Sequence, residues 1–142
     1  MKKAWILDPH SGGVKIPEAV KTATRDRILK YAEQHYAGKY IRIDVRFRNQ
    51  LCYIDAYKEP MILPESEYNA EHWGESREAR LERLRNMPIH LCRLRYFGGE
   101  NQWSMAFFAY SSESYKPCYF RNGTFFGTPE EAFEASSGYL VD

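Results

Sequence analysis

Residues 42–57, RIDVRFRNQLCYIDAY, constrain the fold more than any other stretch. Ile43, Val45 and Phe47 alternate with Arg42, Asp44, Arg46 and Arg48, and a second alternating run begins at Leu51. A period of two describes a strand with one dry side and one wet side. Only Asn49 and Gln50 separate the runs, so a short turn sets Phe47 against Cys52, Val45 against Ile54 and Ile43 against Ala56. Every apolar partner then shares a face. A one-residue slip would oppose Ile43 to Asp55, which is costly wherever a face is buried. The same register forces Asp44 opposite Asp55, with Arg42/Tyr57, Arg46/Tyr53 and Arg48/Leu51 beside them.

The flanking sequence says what covers the dry side. Pro17 suits a first helical position and Gly38 a C-terminal cap, so a helix is expected from Pro17 to Ala37. Val20, Thr24, Ile28, Tyr31 and His35 form its face, widened by Ala23, Leu29, Ala32 and Tyr36. Residues 59–75 carry two prolines and five glutamates without a period and form a loop. Ser76 caps a helix to about Asn86, whose arginines alternate with glutamates on a solvated face. HLCRLRYF and WSMAFFAY then make a second hairpin, with Tyr96/Trp103, Leu94/Met105, Cys92/Phe107 and His90/Ala109 on one side. Arg95/Ser104, Arg93/Ala106 and Leu91/Phe108 fall on the other. Asn122-Gly123 between aromatic runs signals a third hairpin. Thr128, Pro129 and Glu131 open a last helix with a capping box and an inner stripe of Ala132, Phe133, Ser136, Tyr139 and Leu140.

Helix, hairpin, helix, hairpin, hairpin, helix is the order of an α+β fold. We expect one domain over 1–142, with an antiparallel sheet of about six strands and helices packed mainly on one face.

Composition narrows the partners. The net charge of +1 excludes an overall basic coat, although charge can still be segregated on one face. Eleven tyrosines suit half-exposed sheet faces and binding surfaces. Cys52, Cys92 and Cys118 are odd in number and isolated, which fits reduced thiols in a cytoplasmic protein, packed as small apolar groups. The apolar run near the N-terminus stops at Leu7, short of a signal peptide, and no run is long enough to span a membrane.

Chemistry concentrates on the wet side of the sheet. With both hairpins in one sheet, Arg42, Arg46, Arg48, Arg93 and Arg95 share a face with Tyr53 and Tyr57. Arginines for phosphates and flat rings for bases is how sheet modules hold single-stranded nucleic acid. An acidic protein surface would suit the same arginines, and self-association to a homo-oligomer through this face is a third expectation. Asp44 and Asp55 are the candidate catalytic pair. Opposed carboxylates want a cation, a shared proton or neighbouring arginines, so either Arg42 and Arg46 offset them or a Mg²⁺ ion does, for phosphodiester hydrolysis. The order Asp44…Asp55-Ala-Tyr-Lys58 resembles the acidic–acidic–lysine order of some nucleases, with the lysine displaced to the opposite face of a regular strand. The acidic 59–75 segment could also fold over this face and neutralise it. His90, Cys92 and Cys52 fall on the dry side without metal-site spacing, and no metal or cofactor is expected. In Asp8-Pro9-His10-Ser11-Gly12-Gly13, an ordinary turn competes with an anion site near the helix start.

Overall fold

Alternation builds the strands in the computed structural model, which describes residues 11–140; the N-terminal apolar run and Asp8, Pro9 and His10 lie outside them. The first hairpin, β1 (Arg42–Arg48) and β2 (Leu51–Tyr57), has the register that its apolar residues dictate. Asp44 stands opposite Asp55. The second, β3 (Ile89–Tyr96) and β4 (Trp103–Ala109), pairs Tyr96 with Trp103, Leu94 with Met105 and Cys92 with Phe107. Both hairpins belong to one antiparallel meander, closed by β5 (Ser114–Cys118), with the strands side by side in chain order.

The third expected hairpin does not form as such. Asn122-Gly123 makes its turn, with Phe120 N–H donating to the Thr124 carbonyl. The Asn122 side chain then accepts from both the backbone N–H and the hydroxyl of Thr124, a local alternative to ladder pairing. Phe120 turns into the core, and the returning chain makes an isolated bridge between Gly127 and Trp103. The strand that pairs with β4 comes instead from Ser114–Cys118.

The helices α1 (Glu18–Tyr36) and α4 (Pro129–Ser136) pack together against the sheet. From α1, Thr24, Ile28 and Ala32 are buried, while Ala23, Leu29 and His35 lie outside the contact. Thr128 and Glu131 make the capping box, and Ala132, Phe133, Ser136 and Leu140 are buried as the stripe requires; Tyr139 is exposed. Gly13 has φ +87° where the entering chain crosses the end of β3, and a Cβ there would lie 2.6 Å from the Tyr96 carbonyl oxygen. Close backbone approach is what this glycine permits. Its neighbour Gly12 offers a carbonyl to Arg95 and Gln50. The thiols of Cys52 and Cys92 are free and buried in the core; burial raises both, that of Cys92 to about 12.

Glu134 joins the two helices. Its carboxylate accepts the hydroxyls of Tyr31 and Tyr36 at 2.7 and 2.6 Å, and those bonds hold it below the usual carboxylate range. A depressed carboxylate stabilises the fold above its unfolded value, and that contribution fades as pH falls through the folded one. Glu134→Gln should therefore cost about 1 kcal/mol at neutral pH, discounted for partial exposure, and almost nothing in acid. Thermal unfolding of both proteins across that range measures the difference.

Between β2 and β3 the chain leaves the sheet for a short 3₁₀ turn (Glu65–Glu67), α2 (Ala70–Trp73) and α3 (Arg77–Arg85). Ser76 caps α3 through Ala79 N–H, as its position predicts. Neither helix contributes a buried residue. No described helix is long and apolar enough to cross a membrane.

Candidate functional site

The sheet face away from α1 and α4 is built by alternation from β1, β2 and β3. Arg42, Asp44, Arg46 and Arg48 come from β1, with Tyr53, Asp55 and Tyr57 from β2 and Arg93 and Arg95 from β3. The acidic segment does not neutralise them. Glu59 pairs with Arg85, and Glu75 with Arg80 and Arg83, so those acids serve α3. The Arg42 and Arg46 side chains remain 53% and 55% exposed, while Tyr57, Asp55, Ser104 and Ala106 on the same face are buried.

Three guanidinium groups lie over tyrosine rings. Arg42 is 3.8 Å from the Tyr57 centroid, Arg46 is 5.1 Å from Tyr53, and Arg93 is 5.2 Å from Tyr115. The first two pairs are direct cross-strand neighbours. Tyr115 reaches across from β5 and meets Tyr53 edge-on at 5.7 Å. Between them Arg93 pairs with Ala106, and Ala106 with Pro117. Burial and the nearby Asp55 charge raise the Tyr115 hydroxyl, which keeps its proton.

The two carboxylates meet different fates. Asp44 is half-exposed, with Oδ1 3.3 Å from Arg42 Nε. Asp55 is buried, its side chain 4% exposed, and both oxygens are engaged: Arg46 Nη2 donates to Oδ2 at 2.9 Å and His90 Nδ1 stands 2.9 Å from Oδ1. Arg42 and Arg46 thus offset the repulsion as the sequence suggests, but His90 is a partner that strict alternation puts on the other side. The cause is a bulge. Cys92 pairs with Ile54 and His90 with Asp55, so Leu91 is an extra residue in β3 and is fully buried beside Cys92. One inserted residue inverts every side chain beyond it and re-aims His90 at Asp55.

His90 meets the carboxylate through Nδ1, and in the Nδ1–H tautomer Nε2 keeps its lone pair. Among the described residues Nε2 has no hydrogen-bond partner, and it is not sealed from solvent. Phe108 packs on the ring at 4.6 Å, with Tyr110 and Tyr115 at 6.3 and 6.4 Å. The Tyr110 hydroxyl accepts the His90 backbone N–H at 2.8 Å, fixing the bulged strand. No described group of three or more His, Cys, Asp and Glu side chains is placed to hold a metal. Asp44 and Asp55 are turned towards protein cations.

Sequence reasoning missed His90, Phe108, Tyr110 and Tyr115. Two adjacent apolar residues, Leu91 and Cys92, in a strand that otherwise alternates are the trace a bulge leaves. Tyr115 carries a weaker signal, its period of two with Pro117 in a stretch of polar residues. Comparison with known proteins returned no matching family model, no similar curated protein and no similar solved structure.

Proposed function

We propose that the open face of the sheet binds single-stranded nucleic acid. The observation that carries this is the set of three arginine–tyrosine pairs, Arg42/Tyr57, Arg46/Tyr53 and Arg93/Tyr115, laid across one sheet face, with Arg42 and Arg46 exposed above a buried Tyr57 and a partly buried Tyr53. A guanidinium held over a ring is oriented before any ligand arrives, so less freedom is lost when it meets a phosphate. The partly exposed rings of Tyr53 and Tyr115 offer faces on which unpaired bases stack, a contact worth about 1–3 kcal/mol per base. Among the described residues, five arginines share the face with two aspartates, and the buried one already has two partners.

Fluorescence anisotropy with labelled RNA and DNA oligonucleotides tests the proposal. Affinity should fall with salt, the logarithmic slope being about −0.7 for each phosphate neutralised on a single strand. Arg46→Glu with Arg93→Glu should weaken binding at least about tenfold and flatten that slope by roughly two contacts. Binding that ignores salt, or no binding, would refute it. A tight complex with an acidic protein in place of an oligonucleotide would assign the face to protein recognition.

A further inference from the structure

Asp55 and His90 do more on this face than a binding surface requires. Arg46 already supplies a full charge to the buried carboxylate. The bulge at Leu91 nevertheless brings an imidazole to its other oxygen, and the ring packs on Phe108, with its side chain 29% exposed and Nε2 not sealed from solvent. A carboxylate that accepts from Nδ1–H while Nε2 stays accessible is the arrangement that orients a general base. The arginines and rings proposed to hold a strand lie immediately around it.

We infer that His90 is a catalytic base that cleaves single-stranded RNA by transesterification, with Asp55 as its positioning residue. The inference rests on the proposed single-strand binding and adds a reaction to it. Nε2 takes the proton of a ribose 2′-hydroxyl. The 2′-oxygen forms a bond to the adjacent phosphorus, the bond from phosphorus to the 5′-oxygen breaks, and that oxygen leaves as a hydroxyl with a proton from solvent. His90 returns its proton to solvent. The products are a 2′,3′-cyclic phosphate and a 5′-hydroxyl end, and no metal or further reactant is consumed. Arg46 donates to the same carboxylate as His90 and would offset the charge growing on the phosphate oxygens.

The test uses the whole chain in EDTA with a labelled single-stranded RNA of mixed sequence, and the same sequence as DNA. The expected result is RNA cut to cyclic-phosphate ends and DNA left whole, since DNA lacks the nucleophile. His90→Gln should slow cleavage about 10²- to 10⁴-fold while leaving RNA affinity within about twofold, a range typical of losing a general base. If that variant does not fold by circular dichroism, His90→Ala rescued by free imidazole carries the same information. Asp55→Asn keeps the imidazole but should displace the acid limb of the pH–rate profile, which a purely structural pair would not do. RNA bound but intact overturns the catalytic inference and leaves the binding proposal standing. RNA that does not bind overturns both. Cleavage undiminished in His90→Gln shows a contaminant and overturns the assignment.

Discussion

Phe133→Ala should lower the free energy of unfolding by about 3–5 kcal/mol, the range found when a buried aromatic side chain is cut to a methyl. Phe133 is fully buried, with the Tyr36 and Tyr31 rings at 5.4 and 6.0 Å. Its loss is not confined to a cavity. α4 has eight residues, too few to hold a helix in water on its own, so its existence depends on this contact and on the Thr128 cap. Urea denaturation followed by far-ultraviolet circular dichroism measures the change, and the midpoint of thermal unfolding should fall by roughly 10 °C. Phe133→Leu, which keeps most of the volume, should cost well under half as much. Equal losses in the two variants would mean that the aromatic contacts of the ring, and not the volume it fills, hold α4.

The second large effect concerns Asp55, and its sign depends on what is removed. Leucine in place of both Arg46 and His90 strands a carboxylate of 4% exposure without a cation, and breaking a buried pair this way costs about 3–5 kcal/mol. Adding Asp55→Leu to the same protein removes the orphan charge and should recover more than half of the loss, because an apolar replacement of a whole buried cluster is often close to neutral. Arg46→Leu alone should cost only about 1 kcal/mol, since the arginine is more than half exposed and His90 remains. Chemical denaturation of these proteins together with His90→Leu alone closes the Arg46/His90 cycle. Additive losses would show that Asp55 does not couple its two partners.

The sheet was legible wherever the chain obeyed a period. Ile43, Val45 and Phe47 against Ala56, Ile54 and Cys52 allow only one register, and that register carries the Arg/Tyr face with it. Thr128, Pro129 and Glu131 located the last helix because capping is local chemistry that tertiary contacts need not support. Legibility failed where geometry departs from the period. The extra residue Leu91 reverses His90, so the residue most useful to the site sat on the wrong side of a regular strand. β5 failed for a different reason: an edge strand of five residues with Lys116 and Pro117 has the composition of a loop. The Asn122-Gly123 pair marks its turn faithfully, yet a turn does not oblige its flanks to pair once Phe120 is drawn into the core. Tyr115 was lost with that misplaced strand, and with it the third arginine–tyrosine pair.

The strand order has a consequence for how this chain meets its own copies. A sheet with two open rims can in principle grow at both, which is the route to fibres. Pro117 in β5 lacks the N–H that an added strand would need, and its neighbour Lys116 is exposed, so that rim is a poor template. The β1 rim has no proline, but its alternate arginines repel an identical strand. Any association by strand addition is thereby left with β1 alone, and a contact that uses the same rim of both partners closes on itself as a pair. The meander is built so that growth by strand addition terminates.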